Sequence, residues 1–157
     1  MSLTLALYQP DIPQNAGTML RACACLGVEA AIIGPSGFPT TDSAFRRAGM
    51  DYLNQVTIAR HVSFDAFQTW RSACAAAGEP RRLVLLSTRA TMSYVACNYR
   101  SDDILLVGRE SSGVPDDVFE AADLAVKIPM RPQARSLNVA VAAAIVTSEA
   151  LRQLGAL

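Results

Sequence analysis

Asp103-Ile104-Leu105-Leu106-Val107-Gly108-Arg109-Glu110-Ser111-Ser112-Gly113-Val114-Pro115 is the stretch that decides the fold class. After its first residue the run Asp103–Val107 is apolar without alternation, the pattern of a strand covered on both faces, as parallel strands are. Gly108 and Gly113 then frame a loop in which positive φ and close backbone approach to a ligand are both allowed. Proline is tolerated in a first helical turn, so a short helix is predicted over Pro115–Ala121. A buried strand, a glycine loop and a helix in that order form the repeating unit of α/β domains.

The same alternation extends in both directions. Leu3–Tyr8, Val28–Ile33, Gln55–Arg60, Arg82–Thr88 and Ala125–Ile128 read as further short strands. Between them, Asn15 is read as an N-cap, followed by apolar residues at helical spacing from Ala16 to Leu26 and by Gly27 as the stop. Phe64–Ala77 predicts another helix. The last runs from about Leu137 to Leu154, with Ser136 as its N-cap and Asn138 placing an amide in the first turn. Its Val139–Val146 stretch is apolar on every side, which predicts burial all round and packing against a second subunit. The fold class is α/β, a mainly parallel sheet flanked by helices in a single domain over residues 1–157. Ligands in such sheets bind beyond the carboxyl ends of the strands. That rule points to Leu86-Ser87-Thr88, Gly108–Pro115 and Ile128-Pro129-Met130.

Composition removes several classes. At 51% hydrophobic and 18% charged the chain is neither disordered nor fibrous. No apolar run reaches the length of a membrane span. The N-terminal segment has no basic n-region and reads as a first strand, so secretion is not indicated, and the unpaired cysteines predict a reduced cytoplasm. Cys23, Cys25, Cys74 and Cys97 form no C-x-x-C pair and read as buried free thiols. Zero net charge argues mildly against a nucleic-acid partner, but Lys127 is the sole lysine and the other cations are arginines, which suit phosphate contacts. Arg46-Arg47, Arg81-Arg82 and Arg131 with Arg135 are local clusters; each taken alone reads more readily as solvated surface.

The loops narrow the chemistry further. Gly108 to Gly113 has the spacing of a phosphate loop, but Val114-Pro115 stands where Lys-Ser/Thr is required. G-x-G-x-x-G and G-x-S-x-G are absent, and the single histidine, His61, has no cluster beside it, so no metal site is expected. Tyr8-Gln9-Pro10-Asp11-Ile12-Pro13-Gln14-Asn15-Ala16-Gly17-Thr18-Met19-Leu20-Arg21 is more distinctive. Gly17 and Arg21 are four apart and share a helix face, a seat for phosphate or ribose as readily as an ordinary helix start.

Together these segments resemble the SPOUT (α/β-knot) RNA methyltransferase superfamily, and within it the single-domain subgroup that 2′-O-methylates cytidine or uridine at the wobble position 34 of tRNA. The resemblance covers essentially the whole chain. Its first motif is similar to Tyr8-x-Pro10-x-Ile12-Pro13-x-Asn15-x-Gly17-x-x-x-Arg21, and its second to Leu106–Pro115. The third is similar to Ile128-Pro129-Met130 with Ser136-Leu137-Asn138-Val139-Ala140-Val141-Ala142. Arg46-Arg47-Ala48-Gly49-Met50-Asp51-Tyr52 resembles a segment particular to the subgroup. The chain departs from the family pattern at Arg109, where proline is common, and at Ser148, where an aromatic often precedes the glutamate.

The resemblance implies a C-terminal trefoil knot, a homodimer and S-adenosylmethionine as methyl donor, with tRNA as substrate. It implies donor contacts at Leu86, Gly108, Ile128 and Ser136, with Thr88, Glu110, Gly113, Met130, Leu137 and Asn138 as neighbours. Arg21 is the expected ribose-engaging catalytic residue, supported by Asn15, and Arg46, Arg47, Arg131 and Arg135 are expected to flank the RNA. The alternatives are an rRNA or other-position RNA 2′-O-methyltransferase of the same fold, and a non-catalytic RNA-binding dimer.

Overall fold

The computed structural model describes residues 2–157. Among the described residues seven strands form one sheet: β1 (Thr4–Tyr8), β2 (Glu29–Ile33), β3 (Ile58–His61), β4 (Leu83–Leu86), β5 (Met92–Ser93), β6 (Ile104–Val107) and β7 (Leu124–Lys127). Their order is β3-β2-β1-β6-β4-β7-β5, and every pairing is parallel. The helices are α1 (Pro13–Leu26), α2 (Asp42–Arg47), α3 (Phe64–Ala76), α4 (Asp116–Ala121) and α5 (Val139–Gln153), with a 3-10 turn at Leu53–Gln55.

β6 shows why the apolar run does not alternate. Leu105 and Val107 join the core that holds Leu20 of α1 and Val146 of α5. Ile104 and Leu106 join the opposite core, with Phe67 of α3 and Val118 of α4. Successive side chains leave opposite faces of a strand, and here both faces are covered. Each fully buried Leu or Ile of this strand contributes about 1.5–3 kcal/mol.

The predicted strands all form, with ends shifted by a residue or more. The largest shift is at β3, where Leu53–Gln55 turns before the strand begins at Ile58. Two elements have too little periodicity to be legible in the sequence. One is β5, two residues held by β7; the other is α2, six residues capped by the Thr41 hydroxyl, which accepts from the Ala44 amide at 3.2 Å.

Both predicted N-caps are corrected. α1 starts at Pro13, whose fixed φ nucleates the first turn, so Ile12 is the cap and Asn15 lies inside the helix. α5 is capped by Asn138 rather than Ser136, its Oδ1 accepting from the amides of Ala140 at 2.8 Å and Val141 at 3.2 Å. Within a single chain α5 is covered on one side only. Ala140, Ala143, Val146, Ala150 and Leu151 are buried, but Val141 is 47% exposed and Ala144 and Ser148 face outward. The cysteines are free, Cys23 and Cys97 buried but Cys25 exposed.

Arg81 and Arg82 do not form a solvated surface cluster. Arg81 is buried and donates to the carbonyls of Ser2 at 2.6 Å and Asp102 at 3.0 Å. Arg82 grips fully buried Asp103 through Nε at 2.9 Å and Nη2 at 2.8 Å, and the Arg100 amide donates to the same carboxylate. These bonds tie together the amino ends of β1, β4 and β6, opposite the loops of interest. Removing one member of such a pair strands the other, so Asp103→Ala is expected to cost about 3–5 kcal/mol in chemical denaturation. A wild-type midpoint would contradict this.

Candidate active site

A cavity of about 450 Å³ lies beyond the carboxyl ends of β4, β6 and β7, where ligand sites of parallel sheets are found. The end of β4 contributes Leu86 and Thr88 to its wall, and the loop after β6 contributes Gly108, Glu110 and Gly113. Ile128 and Met130 follow from β7, and Ser136, Leu137 and Asn138 from the approach to α5. Every residue expected at a donor site therefore borders one cavity, although these segments are far apart in the chain. Asn15 borders it too.

The loop after β6 is closed on itself. The Arg109 amide donates to the Gly113 carbonyl at 3.0 Å, and the Gly113 amide returns the bond at 2.9 Å. Gly113 has φ +63°, the left-handed region. A Cβ on Gly108 would stand 2.7 Å from the Gly113 carbonyl carbon and 2.8 Å from its Cα, so the hairpin closes only over a bare glycine.

Two polar clamps, at positions that spacing alone could not pair, join the motifs. Asp11 of the first motif meets the second: its Oδ2 accepts from the Ser111 hydroxyl at 2.7 Å, and its Oδ1 from the Glu110 amide at 3.3 Å. Glu110 Oε2 accepts from the Asp11 amide at 3.3 Å. Burial and the hydrogen bond with Asp11 push the Glu110 carboxyl above the usual range. Hydrogen bonds with Glu110 and Ser111 hold Asp11 below it. Glu110 Oε1 is buried and without a partner among the described residues. The second clamp joins the first motif to the third: Asn138 Nδ2 donates to Asn15 Oδ1 at 3.0 Å. Asn138 thereby caps α5 with its oxygen and holds α1 with its nitrogen, and Asn15 is a helix-to-helix link rather than a cap.

Arg21 stands apart from this wall. Its side chain is 65% exposed on α1, 3.9 Å from Asp51 Oδ1 and with its guanidinium 5.3 Å from the centre of the Tyr52 ring. Arg46 and Arg47, at the end of α2, and Arg131 and Arg135, in the loop bordering the cavity, are all exposed. None of these four is held in an ion pair among the described residues. Asp11, Lys127 and Tyr52 lie outside the residues expected at the site. For Asp11 and Tyr52 the available signal was their position inside the first motif and the Arg46–Tyr52 segment. Among the described residues no group of three or more His, Cys, Asp or Glu is placed to hold a metal ion.

Comparison with known proteins agrees with this geometry. The model of the SpoU rRNA Methylase family matches residues 2–148. A tRNA (cytidine(34)-2'-O)-methyltransferase of Beijerinckia indica is 66% identical over 153 residues, 98% of this chain and 92% of that protein. A structure described as giving insight into the 2-OH methylation of C/U34 on tRNA superposes with TM-score 0.86 at 40% identity, over 98% of this chain and 96% of the other. The SpoU methyltransferase AviRb of Streptomyces viridochromogenes, in complex with the cofactor AdoMet, superposes with TM-score 0.87 at 28% identity, over 98% of this chain and 58% of its own. The loop motifs, the all-parallel sheet and these matches agree: the chain belongs to the SpoU rRNA Methylase family, within the SPOUT methyltransferases.

Proposed function

We propose that this protein transfers the methyl group of S-adenosylmethionine to the ribose 2′-hydroxyl of the wobble nucleotide, position 34, of tRNA. The observation that carries the reading is the convergence of three separated motifs on one cavity whose volume suits a nucleoside-sized ligand. Near-full-length identity to a C34 methyltransferase supports the choice of nucleotide. An rRNA or other-position substrate is the reading it displaces.

The cavity fits the donor in kind. Leu86, Ile128 and Leu137 supply apolar wall for an adenine, while the bare Gly108 turn exposes main-chain groups for hydrogen bonds. Thr88, Glu110, Gly113, Met130, Ser136 and Asn138 complete the proposed binding set. The bound donor supplies an electrophilic methyl on a sulfonium, displaced in line by the sugar oxygen. The protein's share of the work is alignment and help in removing the hydroxyl proton. A guanidinium is a poor general base, because it does not give up its proton in proteins. The charge of Arg21 orients the ribose and makes the hydroxyl more acidic. Asn15, fixed by Asn138, supports this corner of the site.

The reading includes a homodimer, the C-terminal knot and a cytoplasmic compartment, where tRNA is modified. The open side of α5, with Val141 and Ala144, is an apolar face suited to a second copy. Arg21 is not in the cavity wall of its own chain, and a partner is the route by which the arginine of one protomer serves the cavity of the other. Sedimentation at the 16.7 kDa mass of one chain would remove the dimer.

Arg46, Arg47, Arg131 and Arg135 are proposed to flank the RNA. Replacing them is expected to flatten the dependence of log affinity on log salt by about 0.7–0.9 for each phosphate that is no longer neutralised. An unchanged slope in filter binding would return them to plain surface. The function itself is tested by methylating bulk tRNA with labelled donor and mapping the modified nucleoside. Label in 2′-O-methylcytidine or 2′-O-methyluridine derivatives at position 34 is expected; label elsewhere, or in rRNA alone, rejects the assignment.

A further inference from the structure

We propose that Tyr52 is a positioning residue for Arg21, holding the guanidinium on its ring face so that the arginine meets the ribose already oriented. The inference rests on the reading of Arg21 as the group that engages the sugar.

Arg21 is long, cationic and exposed, and by itself would sample many rotamers, each of which has to be given up on engaging substrate. Two neighbours restrain it. Asp51 is 3.9 Å away with a side chain 87% exposed, a solvated pair of the kind that orders little. Tyr52 is different: it is only 8% exposed, and the guanidinium lies 5.3 Å from its ring centre, within cation–π range. The ring is itself buried and tethered. Its hydroxyl donates to the Gly17 carbonyl at 2.8 Å, one helical turn before Arg21 on α1.

The segment that presents the tyrosine is equally fixed. Phe45 and Met50 are buried, the Met50 amide donates to the Phe45 carbonyl, and Gly49 takes φ +83° to make the turn between them. Tyr52 then begins the 3-10 turn, its carbonyl accepting from the Gln55 amide at 2.8 Å. The ring therefore touches the arginine from a different part of the chain and is clamped back to the arginine's own helix. Such an arrangement sets direction. It adds no reactive group to the site.

The test is steady-state kinetics on tRNA for Tyr52→Leu and Tyr52→Phe, with S-adenosylhomocysteine affinity and melting temperature measured alongside. Loss of the ring is expected to lower kcat about tenfold. KM for tRNA and the affinity for S-adenosylhomocysteine should stay within about twofold, and Tyr52→Phe, which keeps the ring, should retain most of kcat. In an Arg21→Ala background, Tyr52→Leu should produce no further loss.

Full kcat in Tyr52→Leu, or a Phe variant as impaired as the Leu variant, overturns the proposal while leaving Arg21 in place. So does a further loss in the double variant, or a fall in ligand affinity and melting temperature that matches the fall in kcat. A fully active Arg21→Ala overturns the reading of Arg21 and the proposal with it. If Tyr52→Leu does not fold, stepwise fluorination of a phenylalanine at this position weakens the ring's quadrupole at constant shape. A graded fall in kcat is expected across that series, and a flat series overturns the proposal.

Discussion

Arg21→Ala is expected to lower kcat on tRNA by about a hundredfold or more, the usual loss when one preorganised donor to a developing oxyanion is removed. Affinity for S-adenosylhomocysteine should be unchanged, because Arg21 is not among the residues that border the cavity. Fold stability should also survive, since the side chain is 65% exposed and its ion pair with Asp51 is a surface contact at 3.9 Å. The two measurements separate the roles: isothermal titration reads the cavity, and turnover reads the sugar. Full activity in this variant would remove the arginine from catalysis. Loss of ligand binding would mean that Arg21 shapes the donor site after all.

The converse result is expected for Gly108→Ala, which should weaken S-adenosylhomocysteine binding before any question of chemistry arises. The added Cβ would lie 2.7 to 3.0 Å from three backbone atoms of Gly113, and no side-chain rotation relieves a clash with main chain. The hairpin held by the paired amides of Arg109 and Gly113 would have to open or shift. Overpacking of this kind costs about 1–3 kcal/mol, which in binding is about a ten- to hundredfold loss of affinity. Gly17→Ala is the natural comparison, since a Cβ there meets nothing within 4 Å. If Gly108→Ala binds the ligand as the parent does, the turn does not form the donor site.

The contrast between the two glycines also shows how far reading the chain could go. Both were singled out, Gly108 for close approach and Gly17 for a bare helix face, but only the packed structure distinguishes the glycine with a wall against it from the one facing open space. α5 carries the same lesson. Its apolar stretch correctly marked a helix against the core, yet one side of it remains uncovered within a single chain, because hydrophobicity says that a face will be buried without saying by what. The caps failed for a local reason: Pro13 began α1 earlier than Asn15, and Asn138 outcompeted Ser136 by standing nearer the first free amides of α5.

The succession of the strands apart from β5, the parallel α/β class and the three loops that border the cavity were determined by the sequence alone. Their signals are local, arising from unbroken apolar runs, glycine turns and helical spacing within a few residues. Only the tertiary structure decided which side chains meet. Asn15 reaches Asn138 across 123 positions, Asp11 reaches Glu110 across 99, and Tyr52 reaches Gly17 across 35. Contacts of that range depend on how the sheet twists and how the helices settle on it, and no pattern of neighbours in the chain records that.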